Sequence, residues 1–214
     1  AVIYLEIASG FVHATPMGVP VLDGTDIDLP QQTPIVRDAL AAIRKGQYDQ
    51  AIETLRNYIA TNGSAPNLSN AYEVLGIGLY MKGDTSEAVA ALKKTLSLDP
   101  NSGSALTRLG SIALAAGQID EAKADFEQAL QVDPNYQIAH ERLGIVLQKD
   151  GDIAGAMKEF ELGLAGRPPS YLGMKPNLAA IYDEQGRYDD ARKLLEPAVA
   201  ANSTNVGALR SLGI

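Results

Sequence analysis

The sequence predicts an all-α solenoid of stacked helix-turn-helix units, and three observations carry that expectation. A Leu-Gly pair recurs at Leu75-Gly76, Leu109-Gly110 and Leu143-Gly144, each 34 residues after the last. A column of small residues (Ala51, Ala88, Ala122, Ala156, Ala191) and one of large residues (Leu55, Leu92, Phe126, Phe160, Leu195) keep the same phase. Pro66, Pro100, Pro134 and Pro168 punctuate the chain at the same interval. A fixed period of about 20–50 residues marks a repeat architecture, whose units bury their apolar faces only against their neighbours. A plain helical bundle rich in Leu and Ala would not hold Gly, Ala and Pro in phase.

The elements follow in chain order. Residues 1–34 contain Glu6, Asp23, Asp26 and Asp28 and no Lys or Arg, while Pro16, Pro20 and Pro30 interrupt any helix and Asp23-Gly24 favours a turn. An irregular N-terminal arm is expected there, and two readings of Ala1–Ala14 stand side by side. Val12-His13-Ala14 resembles the small-residue cleavage site of a signal peptide, although Glu6 interrupts the apolar run and no basic leader precedes it. The other reading is an arm packed on its neighbour, or the tail of an upstream domain.

Beyond the arm the period divides residues 35–214 into units of about 35–66, 67–100, 101–134, 135–170 and 171–204, followed by a closing helix at 205–214. The period slips by three residues within 58–66 and by one within 168–178, both at predicted turns. Within a unit, Leu106, Leu109, Gly110, Ala113 and Leu114 keep helical spacing, and Ala122, Phe126, Ala129 and Leu130 begin a second run. Gly46, Gly83, Gly117, Gly151 and Gly186 stand where the first helix must stop. Asp84 with Glu87 fits a capping pair, Asp152 fits a lone cap, and Asn101 and Asn135 are N-cap candidates. Gly76, Gly110 and Gly144 lie inside a helix, where Gly is worse than Ala by about 0.5–1 kcal/mol. They are expected to face Ala88, Ala122 and Ala156 so that the two backbones approach closely, with Phe126 and Phe160 filling the space between hairpins.

The 34-residue unit, its Leu-Gly pair, its turn glycine, the Ala opening the second helix, the Phe or Leu four residues later and the closing Asp99-Pro100-Asn101 and Asp133-Pro134-Asn135 together resemble the tetratricopeptide repeat (TPR) family. The match covers about residues 34–214. It departs at the ends, where Asp38-Ala39 replaces Leu-Gly and Ser203 replaces the closing proline. The resemblance implies a right-handed superhelix whose concave groove is lined by the first helix of each unit. The residues it nominates are Val36, Leu40 and Ile43; Asn70, Glu73, Ile77 and Tyr80; Thr107, Ser111 and Leu114; and Glu141, Ile145, Gln148 and Lys149. Any one of them could instead contact the adjacent repeat. The family also includes co-chaperones whose lysines and asparagines clamp a C-terminal carboxylate, but Val36, Leu40 and Val74 stand where basic or amide groups would be needed.

Composition narrows the partners. A net charge of −8 disfavours tracking phosphates or anionic lipid, so the expected partner is a protein or peptide and not a nucleic acid. No stretch reaches the ~18 apolar residues of a membrane span. The absence of cysteine excludes thiolate chemistry but suits either the cytoplasm or an exported, periplasmic location. No P-loop, nucleophile elbow or His-Glu-x-x-His motif is present, and Gly76-Ile77-Gly78 has no strand before it. His140 is expected in a structural role. Asp189-Asp190, Asp183-Glu184 and Glu159-x-Glu161 read as solvated helix faces, and Asp26-x-Asp28 lacks the further ligands of a calcium loop. No cofactor or metal is implied. The leading expectation is a noncatalytic scaffold that holds an extended peptide or a partner helix. The alternative is an assembly or targeting segment of an envelope, secretion or polysaccharide-export machine or of a multidomain enzyme; self-association through the terminal helices is a third reading.

Overall fold

A computed structural model describes residues 33–63, 65, 67–165 and 174–201, which form ten α-helices. They are α1 (Pro34–Arg44), α2 (Tyr48–Thr61), α3 (Leu68–Lys82), α4 (Thr85–Leu98), α5 (Gly103–Ala115), α6 (Ile119–Val132), α7 (Gln137–Asp150), α8 (Ile153–Ala165), α9 (Met174–Glu184) and α10 (Tyr188–Ala201). There is no strand among the described residues. Residues 1–32 of the arm expected at 1–34, the prolines at 66 and 168 and the closing helix expected at 205–214 lie outside the described residues, while Pro34 already opens α1.

Helices pair as α1/α2, α3/α4, α5/α6, α7/α8 and α9/α10, and each second helix also packs on the first helix of the next pair. First helices meet in turn, α1 with α3 and α5 with α7. The result is an all-α solenoid. Its core runs from Val36 in α1 to Leu195 in α10: two large clusters span α1 to α5 and α5 to α9, a small one joins Leu106, Ala129 and Ala139 of α5, α6 and α7, and another, Ala179 with Ala191 and Leu195, lies within α9/α10. Nearest-neighbour burial of this kind is what makes such stacks cohere, because one hairpin buries too little apolar surface to offset the entropy of ordering it.

The turn within each pair rests on a glycine. Gly83 (φ +102°) and Gly151 (φ +87°) adopt the left-handed conformation, and each closes its helix with the same two bonds. Gly83 N–H donates to the Tyr80 carbonyl at 3.0 Å and Asp84 N–H to that of Leu79 at 2.9 Å. In the later unit Gly151 and Asp152 do likewise to Gln148 and Leu147. This double bond is the Schellman motif, which only a residue tolerant of positive φ completes cheaply.

Three sequence expectations change in detail. The Asp84–Glu87 capping pair does not form: the Asp84 side chain makes no cap bond and lies 3.5 Å from Lys82 Nζ, while Glu87 takes a hydrogen bond from Arg56. Asn101 and Asn135 do not cap either, because α5 and α7 start two residues later. There the carboxylates of Asp99 and Asp133 accept the N–H groups of Asn101 and Asn135 at 3.1 and 2.9 Å, making Asx turns, and Ser102 is the cap of α5. Asp152 does cap α8, accepting from Gly155 N–H at 2.9 Å.

The third change concerns the helical glycines. A Cβ on Gly110 would stand 2.8 Å from Phe126 Cε1, and one on Gly144 would stand 2.6 Å from Phe160 Cε1; on Gly76 the nearest atom is Leu92 Cγ at 2.9 Å. Gly110 and Gly144 therefore make room for the ring of their own hairpin rather than for the alanine column, whereas Gly76 makes room for Leu92 and also faces the Ala88 carbonyl oxygen at 3.2 Å, the close backbone approach that was expected. Flat rings seated on bare backbone explain why Phe126 and Phe160 are wholly buried.

Candidate functional site

The first helices α1, α3, α5 and α7 carry the nominated stripe, and the structure sorts its members by exposure. Val36, Leu40, Ile43 and Ile77 belong to the core shared by α1 to α5. Ile43 in particular lies against Gly78 of the next pair, where an added Cβ would meet its Cδ1 at 3.2 Å. These four take the neighbour-packing alternative, because positions that face inward in a tight stack also wedge between successive helices. Glu73, Thr107, Ser111 and Glu141 are buried too. Asn70, Tyr80, Leu114, Ile145 and Gln148 are half-buried, and Lys149 is exposed.

The buried polar members are held by specific bonds. Glu73 Oε1 of α3 accepts from Arg108 Nε of α5 at 3.0 Å, with side chains only 6% and 9% exposed. Little water reaches this pair, so it pins two successive first helices in one register. Thr107 Oγ1 donates back to the Gly103 carbonyl at 2.8 Å. Arg142 occupies in α7 the place of Arg108 in α5 and is also buried, at 7% exposure. The repeat places Thr107 opposite it, where the preceding unit has Glu73. No hydrogen bond or ion pair to Arg142 is found among the described residues. Sequence reasoning missed both arginines, although their 34-residue spacing was there to read.

His140 is structural, as expected. Its Nδ1 lies 2.7 Å from Glu159 Oε2 in α8 and its Nε2 donates to the Pro134 carbonyl at 3.0 Å, so the ring clips the inter-unit turn to the hairpin. Among the described residues no group of three or more His, Cys, Asp or Glu could hold a metal. No described helix is long and apolar enough to cross a membrane. An open depression of about 330 Å³ is lined by Tyr182, Arg187, Asp190, Lys193 and Leu194. Its guanidinium is already committed: Arg187 lies 4.1 Å from the centre of the Tyr182 ring and donates to Asp190 at 2.8 Å. Burial and a hydrogen bond to Glu161 raise the Tyr182 phenol above its usual range, and burial raises Asp183. Burial, with Glu121 nearby and Lys93 opposing, pushes Asp125 up to about 6. The two carboxyls stand on separate helices, Asp125 on α6 and Asp183 on α9.

Three family models described as tetratricopeptide repeat match the sequence, over residues 79–124, 107–171 and 177–206, together more than half of the chain. No curated protein matches it. Among solved structures, pilF of Pseudomonas aeruginosa is similar at a TM-score of 0.72 and 20% identity, over 83% of this chain and 79% of that one. A tetratricopeptide repeat protein from Parabacteroides merdae is similar at 0.66 and 17%, over 83% and 69%. A chain of the Cut9–Hcn1 hetero-tetramer of the APC/C is similar at 0.66 and 15%, over 83% of this chain and 35% of that one. At these identities the likeness is one of fold.

Proposed function

Because the chain belongs to the tetratricopeptide repeat family, whose fold typically serves protein–protein interaction, we propose that it is a noncatalytic scaffold holding an extended peptide or a partner helix against its first helices. The observation that carries this reading is the stripe itself. Half-buried Tyr80, Leu114, Ile145 and Gln148 and exposed Lys149 run along successive first helices, offering apolar anchors beside an amide and a cation. Mixed surfaces of this kind suit peptide recognition, where apolar contacts give affinity and polar groups fix register. The test is affinity capture with the full chain, mass spectrometry of what is retained, and recapture with Tyr80→Ala and Ile145→Asp. Loss of the same partner from both variants, with unchanged circular dichroism, supports the stripe; undiminished capture by both overturns it.

A second reading is favoured by the likeness to a chain that sits in a hetero-tetramer: the array serves assembly within a larger machine. Under that reading the captured protein co-purifies at fixed stoichiometry and survives size-exclusion chromatography. Exchange with free peptide would remove it.

A further inference from the structure

We infer that Asn62-Gly63, at the joint between the first and second units, is a site of spontaneous covalent modification, where the asparagine converts to aspartate or isoaspartate. The inference goes beyond the scaffold reading and does not depend on it.

The chemistry needs an asparagine carboxamide, a following peptide nitrogen free to attack it, and backbone freedom to bring the two together. Asn-Gly offers the least hindered nitrogen, because glycine has no side chain to shield it. Hydroxide takes the Gly63 N–H proton, and the nitrogen attacks Asn62 Cγ. The Cγ–Nδ2 bond then breaks, ammonia leaves with a proton taken from water, hydroxide is regenerated, and a cyclic succinimide remains. Water opens the ring. Addition at the side-chain carbonyl gives aspartate, and addition at the Asn62 main-chain carbonyl gives isoaspartate. Nothing is oxidised or reduced, and water is the co-reactant.

The structure singles out this pair among the described residues. Asn62 has left α2 (φ −124°, ψ 35°), and both it and Gly63 are exposed. Gly63 N–H donates no hydrogen bond among the described residues. Other asparagines lack that freedom. The N–H after Asn101 donates to the Asp99 carbonyl at 3.2 Å and that after Asn135 to the Asp133 carbonyl at 3.1 Å, while Asn67 precedes the bulky, buried Leu68. Asn57, Asn70 and Asn177 lie inside helices, whose fixed ψ keeps the next nitrogen away from Cγ. Asp150-Gly151 is open to the same ring closure, but Gly151 N–H donates to the Gln148 carbonyl at 3.2 Å in the turn that closes α7.

What holds Asn62 back is weak. Its Nδ2 donates to the Tyr58 carbonyl at 2.9 Å and to Thr61 Oγ1 at 2.8 Å, so the side chain must release the last turn of α2 before Cγ reaches the nitrogen. Exposed bonds at a helix end open readily. The product cannot close them again. A carboxylate has no hydrogen to give, the Thr61 hydroxyl already donates to the Asn57 carbonyl at 2.9 Å, and a negative charge now faces the carbonyl end of the helix. Isoaspartate also adds a carbon to the main chain between α2 and α3, which pack on each other across the two units. The change runs one way and loosens the first hairpin from the second.

The test ages the full chain at mildly alkaline pH and maps it by mass spectrometry, with isoaspartate read separately by methyl transfer from S-adenosylmethionine. Conversion should appear at Asn62 and stay near zero at Asn101, Asn135 and Asp150. It should fall about tenfold in Gly63→Ala, whose methyl enters open space and shields the nitrogen. Anion exchange separates the aged chains by their added negative charge, and amide exchange in the last turn of α2 should be faster in them than in the parent. No conversion at Asn62, over a time in which a free peptide of the same sequence converts fully, overturns the inference. So does equal conversion at Asn101 or Asn135, or a Gly63→Ala chain that ages as fast as the parent. Equal amide exchange in the two charge forms overturns the loosening.

Discussion

Gly144→Ala tests whether the helical glycines are there for packing. On propensity alone the change should stabilise α7 by about 0.5–1 kcal/mol, since alanine restricts the unfolded chain and is the better helix former. The geometry opposes it. The new methyl would lie 2.6, 2.8 and 2.9 Å from Cε1, Cδ1 and Cζ of Phe160, a ring with no exposed surface. The ring cannot swing into solvent, so either it leaves its rotamer or α7 and α8 separate by several tenths of an ångström. Overpacking of this kind costs about 1–3 kcal/mol. The expected net effect is therefore a loss of about 1–2 kcal/mol, read as a lower urea midpoint by circular dichroism, with faster amide exchange concentrated in α7 and α8. Two controls sharpen the test. Gly103→Ala, whose methyl would meet its nearest neighbour at 3.7 Å, should be neutral or slightly stabilising. Phe160→Leu should remove most of the penalty of Gly144→Ala, because a smaller side chain vacates the contested space. A Gly144→Ala chain that gains stability as propensity predicts would refute the packing argument.

Three further outcomes are expected. Glu73→Gln should lower stability by about 3 kcal/mol by leaving the Arg108 guanidinium without its carboxylate, and Glu73→Leu with Arg108→Met should recover most of the loss; urea titrations of the three chains decide it. Asp125, raised from 3.8 to about 6 chiefly by burial, keeps in the folded chain a proton that the unfolded chain has already released, so stability should fall as pH rises from about 4 to about 6. The full linkage would be about 3 kcal/mol, but the carboxyl is half in solvent and about 1 kcal/mol is expected; Asp125→Asn should flatten that part of the stability–pH curve. Asp152→Ala should cost about 1 kcal/mol by freeing Gly155 N–H, with the first turn of α8 exchanging fastest.

Much of this fold was legible because its determinants repeat. Gly83 and Gly151 announce their turns by phase alone, and Ala122 with Phe126 marks a second helix before any contact is known. What stayed hidden is what breaks the repeat. Sequence spacing puts Asn101 next to a helix start, yet the carboxylate of Asp99 claims its N–H and Ser102 becomes the cap. The glycine of the Leu-Gly pair was correctly read as a close approach, and Gly76 does meet Ala88 twelve residues on, but the nearest atoms at Gly76, Gly110 and Gly144 belong to the large residue sixteen on, Leu92, Phe126 or Phe160, whose bulk needs bare backbone more than the small alanine does.

The stripe was harder to read for a physical reason. Periodicity reports which residues share a helical face but not how near the next helix comes, and in a tight stack the inward face is partly a lateral one. Ile43 and Ile77 are therefore taken up by neighbours, whereas Tyr80 and Ile145, at matching phases, keep some surface. The polar residues on that face obey a different rule. Glu73 and Arg108 repay each other's burial across two units, and Thr107 withdraws into its own helix. Arg142 inherits Arg108's place with Thr107 opposite it instead of a glutamate, so among the described residues the ion pair that locks α3 to α5 has no counterpart between α5 and α7, and register there rests on apolar packing alone.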